Sequence, residues 1–114
     1  MKIETSELEG IGIIELKGRL MGGPDAGALR SAVDRFIQEG IKKFVIDLGR
    51  VNWINSTGMG ILLTEHSRVR KLGGDLKLSN VSSRIRSILY VTKMTLIFEC
   101  FDDIESAVES FYFD

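Results

Sequence analysis

The run "FVIDL", residues 44–48, narrows the fold more than any other stretch. With Lys43 before it, the run is short, rich in apolar side chains and not alternating. Such a strand is covered on both faces, which calls for a parallel or mixed sheet with helices packed against it. Helical patterns stand on either side of it. Leu29, Ala32, Val33, Phe36 and Ile37 recur at i, i+3, i+4, i+7 and i+8, placing them on one face of a helix over residues 24–40. Pro24 suits its first turn and Gly40 its stop. After the run, Ile61, Leu62, Leu63, Val69 and Leu72 continue as a second helix reaching about Lys71 and closed by Gly73-Gly74.

The rest of the chain extends this alternation. "MKIETSELEGIGIIELKG" reads as a hairpin, with a weak strand over residues 2–6, a turn near Glu9-Gly10, and Ile11, Ile13 and Ile14 as candidates for inward-facing positions. Gly22-Gly23 makes a flexible loop. "GRVNW" separates the 43–48 strand from the second helix as a short loop. "DLKLS" is another strand, and Ser82 caps a short helix that buries Ile85, Ile88 and Leu89. "LIFECF" is a last strand. Asp102 or Asp103 caps a final helix with Ile104, Ala107, Val108 and Phe111 as its apolar stripe. The predicted order is β-β-α-β-α-β-α-β-α. This is an α/β fold, a mixed sheet of about five strands with about four helices packed on it, in one domain over residues 1–114.

Composition excludes several functions. With 15 Lys and Arg against 16 Asp and Glu, there is no overall basic excess for nucleic acid. The local basic run "HSRVRK", residues 66–71, reads as a solvated helix face. The single cysteine, Cys100, has no internal disulfide partner and is expected as a buried structural thiol. "MKIETSELEG" lacks the apolar region of a signal peptide, and no apolar run approaches the ~20 residues of a membrane span. A cytoplasmic protein is expected.

The stretch "NWINSTGMGILL", residues 52–63, concentrates the chemistry. Ser56 is not in a hydrolase elbow, because Gly-x-Ser-x-Gly would need a glycine at Ile54. The single histidine, His66, lies ten residues further along the same helix, about 15 Å away, too far to serve Ser56 as a base. His66 is expected to pack at the edge of the core. No Lys or Arg lies between Val51 and Glu65, so there is no phosphate-binding loop. Gly58 and Gly60 supply only half of a dinucleotide fingerprint, and no metal-ligand spacing is present. No catalytic residue, metal or cofactor is expected.

What remains is a hydroxyl at a helix start. Asn55 or Ser56 can cap the helix. The same place would accept a phosphate, since free amides and the helix dipole favour an anion there. Gly58 and Gly60 would let a partner's backbone approach, and Met59 is either an apolar contact or a core side chain.

The order and spacing of "LKGRL", "FVIDLGRVNWINSTGMGILL" and "LGGDLKLSNVSSRIRSIL" resemble the STAS domain family, and within it the bacterial anti-sigma-factor antagonists. The family signature is a strand ending in an Asp-Leu-like pair, then v-x-[FYW]-[IM]-D-S-[ST]-G-[LM]-G, then a helix. The resemblance implies a partner switch. The unphosphorylated antagonist binds an anti-sigma factor that is a serine kinase of the histidine-kinase-like ATPase fold. Phosphorylation of the Ser after the motif's Asp breaks the complex, and a PP2C-type phosphatase resets it. Mapped here, the modified residue is Ser56, with Thr57 in reserve. The partner-binding set is Arg19, Met21, Gly22, Gly23, Asn55, Ser56, Thr57, Gly58 and Met59. Two departures stand out: Asn55 replaces the motif's Asp, and "GRLM", residues 18–21, replaces G-E-[LI]-D. They leave two outcomes, a switch worked by a non-standard kinase with Arg19 pairing the phosphate, or constitutive binding. Other relatives of this kind serve as accessory subunits of lipid- or anion-transport complexes.

Overall fold

The computed structural model describes residues 1–113. Its elements run β1 (Lys2–Leu8), β2 (Ile11–Leu20), α1 (Pro24–Gln38), β3 (Lys43–Ile54), α2 (Ser56–Lys71), β4 (Asp75–Ser79), α3 (Ser83–Val91), β5 (Cys100–Phe101) and α4 (Ile104–Ser110). One five-stranded sheet has the order β1-β2-β3-β4-β5. The β1–β2 hairpin is antiparallel and every other pairing is parallel, so the mixed α/β architecture expected from "FVIDL" is the one observed.

Because the central strands are covered on both sides, successive residues enter different cores. Ile14, Leu16, Phe44, Ile46, Leu48, Leu76 and Leu78 join Leu29, Val33 and Phe36 of α1, Leu62 and Val69 of α2, and Ile85 and Leu89 of α3. On the opposite face, Ile11, Ile13 and Val45 meet Ala107 and Val108 of α4. Ile11, Ile13 and Ile14 are therefore all interior, but they do not share a face. The α4 face also holds polar groups. Lys77 is 1% exposed, donates to the Ser110 Oγ at 2.7 Å, and lies 4.3 Å from the Phe111 ring centroid. The buried Asp47 carboxylate accepts from Ser79 Oγ at 2.9 Å and from Asn80 Nδ2 at 2.7 Å.

Two boundaries differ from the sequence reading. "GRVNW" is not a loop, because β3 continues through it to Ile54 and pairs with the second half of β2. The pairing slips twice, between Glu15 and Lys17 and between Gly18 and Arg19. The inward positions there become Leu48, Val51 and Ile54, every third residue, a spacing that simple alternation does not match. "LIFECF" yields only a two-residue strand at Cys100–Phe101, preceded by a 3-10 turn at Met94–Leu96. Lys93 turns the chain there with a left-handed φ of 61°; beyond it Leu96 is exposed and Phe98 is buried.

Candidate functional site

Strand β3 delivers residues 55–57 to the carboxyl edge of the sheet, where α2 begins. The side chain of Asn55, not that of Ser56, caps the helix: its Oδ1 accepts from the Gly58 amide at 2.8 Å. The other end of the same side chain faces the neighbouring loop, with Nδ2 donating to the Met21 carbonyl at 3.2 Å. An aspartate at this position could make the first bond but not the second. Asn55 thus ties the end of β2 to the start of α2, and the Asn55 amide also reaches the Leu20 carbonyl at 3.4 Å.

The first turn of α2 lies hard against that strand. A β-carbon on Gly58 would come within 2.0 Å of the Leu20 carbonyl oxygen, so glycine is required by an internal contact. A β-carbon on Gly22, whose φ is +116°, would meet the Thr57 methyl at 2.8 Å. The expectation that Gly58 opens space for a partner is corrected: the backbone that approaches it belongs to β2. Gly60 has nothing within 4 Å of its missing β-carbon and remains open. Met59 is 3% exposed and packs in the main core. Of the nine residues grouped as a contact set, Gly58 and Met59 are interior. Arg19, Met21, Gly23, Ser56 and Thr57 are exposed, and Gly22 and Asn55 are partly so.

The electrostatics of this corner are distinctive. The first turn of α2 carries no acidic residue. Asp25, on the nearby first turn of α1, has its carboxylate engaged by the Met21 amide at 3.2 Å. The Ser56 and Thr57 amides lie at the open end of the helix, ahead of the capped Gly58 amide. An anion on the Ser56 hydroxyl would face these amides and the positive end of the helix dipole.

Trp53 was passed over in the sequence, although it stands in the same stretch. It is 45% exposed, opposes Arg19 in the β2–β3 ladder, and lies 5.9 Å from the Arg84 guanidinium carbon. A large aromatic two residues before a helix cap, next to the exposed Asn52, was the available signal; the bulge hid it.

The other reactive groups are structural. His66 packs edge-to-face on Phe98 with centroids 5.1 Å apart, and its Nε2 is 3.9 Å from Asp75. Burial pushes its pKa below the usual histidine value, opposed by Asp75. Cys100 is half-buried and burial raises its thiol pKa, which disfavours the reactive thiolate. Glu65, buried on α2, pairs with Arg68 at 2.8 Å, and Arg68 also bonds Asp34 of α1 at 2.7 Å, pinning the two helices together. Among the described residues no cluster of metal-ligating side chains occurs, and no helix is long and apolar enough to cross a membrane.

Residues 2–107 match the family model described as the STAS domain. The chain belongs to the STAS domain family. It is 25% identical over 111 residues to BtrV of Bordetella bronchiseptica, named as an anti-sigma factor antagonist, covering 97% of this chain and 95% of that one. It is 30% identical to a solved sulfate transporter family protein from Wolinella succinogenes, with a TM-score of 0.78 over 90% of this chain and 85% of that one. The fold also matches the Bacillus anti-sigma factor antagonist SpoIIAA, solved in unphosphorylated and phosphorylated forms. Against the unphosphorylated form the identity is 18% and the TM-score 0.72, over 99% of this chain and all of that one.

Proposed function

We propose that this STAS domain is an anti-sigma-factor antagonist that works by partner switching in the cytoplasm. In its unphosphorylated form it docks on an anti-sigma factor of the histidine-kinase-like ATPase class. That partner transfers the γ-phosphoryl group of ATP to the Ser56 hydroxyl, releasing ADP, and the phosphorylated chain dissociates. A PP2C-type phosphatase hydrolyses the ester and restores binding. The domain acts as substrate and ligand, not as enzyme.

The observation that carries this reading is the position of Ser56. It is an exposed hydroxyl on the first residue of α2, held by a cap that its neighbour supplies. Modification therefore costs the fold no hydrogen bond. A phosphate adds a charge of about −1.5 to −2 where the helix tolerates an anion. A partner packed on Met21 and Thr57 would meet that charge in its interface, and desolvating it is costly. Resemblance to BtrV over almost the whole chain supports the same reading.

The test is incubation with ATP and a cognate kinase of the histidine-kinase-like ATPase class, followed by intact-mass measurement. One phosphate is expected, absent in Ser56→Ala and retained in Thr57→Ala. No mass gain, with the complex still forming, would replace the switch by constitutive binding.

A second reading has its own support: the 30% identity to a sulfate transporter family protein favours an accessory role in a transport complex. Stable co-purification with transporter subunits, unaffected by Ser56→Asp, would establish it.

A further inference from the structure

Three stretches of the chain contain no Asp or Glu: Leu16 to Pro24, Gly49 to Thr64, and Asn80 to Phe98. They are far apart in sequence, and the fold brings their site-proximal parts together. The first supplies the end of β2, the second the end of β3 and the start of α2, the third the start of α3. The chain as a whole is slightly acidic, with a net charge of −1, so its acids lie elsewhere.

At the junction of the three stretches stands Trp53, between two arginines. Arg19 is its ladder partner on β2, and Arg84 on the first turn of α3 lies 5.9 Å from its ring. Met21, 39% exposed, continues the apolar centre toward Ser56. The carboxylates near this corner are engaged. Asp25 accepts from the Met21 amide, and the buried Asp47 is held by Ser79 and Asn80. Asp102, exposed, lies 3.8 Å from Arg86, two residues after Arg84 on α3. Arg19 has no ion-pair partner among the described residues, and Arg84 has none beyond the tryptophan face.

An exposed aromatic with arginines at its edge is the composition of a docking centre, not of a solvated surface. Its charge specifies what it fits. We propose that the docking surface around Ser56 extends over Arg19, Trp53 and Arg84, and that it recognises a protein partner presenting carboxylates around an apolar contact. This rests on the partner-switch reading and adds the polarity of the complex to it. The arginines attract the partner's carboxylates and hasten encounter, while Trp53 and Met21 bury the central area. A phosphate on Ser56 is then repelled by the same carboxylates that the arginines attract, and it offers those arginines an anion within their own chain. One added group thus weakens the complex from both sides.

The surface composition, arginine with an aromatic, also occurs where proteins hold single-stranded nucleic acid. Here the protein partner is favoured: a single tryptophan with two arginines is too small a track for successive bases, and the chain's net charge is negative.

The experiment is a binding titration of the intact chain with its cognate kinase of the histidine-kinase-like ATPase class, in about 50 and about 300 mM salt, with a dT oligonucleotide as a second probe. Wild type should bind the kinase and lose roughly tenfold in affinity across that salt range. Arg19→Glu and Arg84→Glu should each weaken binding about tenfold or more, acting mainly on the association rate. Trp53→Ala should weaken it about as much through faster dissociation. Lys42→Glu, just before the amino end of β3 and so at the far end of that strand from Ser56, should bind as wild type does. Circular dichroism of each variant separates misfolding from lost contact, and Arg19→Gln and Arg84→Gln give milder forms. Kinase binding that is insensitive to salt and to both arginine reversals would overturn the proposed polarity while leaving the switch at Ser56 intact. Tight binding of the oligonucleotide, abolished by the same reversals, would overturn it in favour of nucleic acid. Failure of wild type to bind the kinase at all would remove the partner-switch reading and this inference with it.

Discussion

Helices α2 and α4 begin alike, each with a side-chain oxygen turned back onto the amide three residues on. Asn55 accepts from Gly58 in one, and Asp103 accepts from Ser106 in the other. Their electrostatics are opposite. At α4 the cap is a carboxylate, Glu105 follows in the first turn, and the amide bond to Ser106 holds the Asp103 pKa below its usual value. The helix dipole there is already answered. At α2 the cap is neutral and the first turn has no acid. The difference separates an end that is finished from one left open to an incoming anion. It also explains how Asn55 can replace an acid without loss of the cap, while adding a bond to Met21 that an acid could not donate.

The largest test of this contrast is alanine at the third position of each helix, which adds a β-carbon at Gly58 and removes only a hydroxyl at Ser106. Gly58→Ala drives an atom into the Leu20 carbonyl and is expected to cost about 3 kcal/mol or more, with the start of α2 displaced. Ser106→Ala, its counterpart on α4, is exposed and should cost about 1 kcal/mol or less. Urea denaturation of both variants measures the difference. Equal costs would mean that α2 does not rest on β2 as described.

A smaller effect is expected at the cap. Asn55→Ala removes both the bond to Gly58 and the tie to Met21, for roughly 1–2 kcal/mol. Asn55→Asp keeps the cap and gains a favourable dipole interaction while losing the tie, so its stability should lie within about 1 kcal/mol of wild type. Its phosphorylation at Ser56 should slow, because the anion site is then partly filled. Unchanged kinetics in Asn55→Asp would show that the neutral cap has no bearing on the hydroxyl.

The smallest effects are in pH dependence. Asp103 has a depressed pKa in the fold, so its contribution is present above the unfolded value of 3.8 and is lost as pH falls through the folded value. Asp103→Asn should flatten that acid limb of a melting-temperature profile, and Asn55 offers no equivalent. His66 shows the opposite chemistry with the same direction. Burial lowers its pKa, so the unfolded chain takes up a proton first and stability declines as pH falls below 6.5. His66→Gln should remove that shallow decline.

Much of this was legible in the sequence, for reasons that mark its limits. The "FVIDL" run announced a covered strand, and the helical spacings of α1 and α4 placed their buried faces; in α2, Ile61, Leu62 and Val69 are buried as the spacing indicates, but Leu72 lies past the helix end and is exposed. Ser56 at the head of α2 was readable because the strand, the short connection and the apolar run lie in one local stretch. What escaped depends on distant partners. The second half of β3 exists because β2 pairs with it across two register slips, and no local alternation records that. Gly58 looked like space for a partner because the carbonyl it accommodates comes from Leu20, far back in the chain. The arginine pair on Trp53 joins β2, β3 and α3, and no window on the sequence contains all three.

The most direct test of the central claim is one comparison: the dissociation constant of the cognate kinase for this chain before and after stoichiometric phosphorylation, with Ser56→Ala carried through the same treatment. The account predicts that phosphorylation weakens wild-type binding by about a hundredfold or more, the cost of an uncompensated charge in an interface. Ser56→Ala should bind equally before and after. Equal affinity of the phosphorylated and unphosphorylated wild-type chain would contradict the claim that Ser56 is the switch.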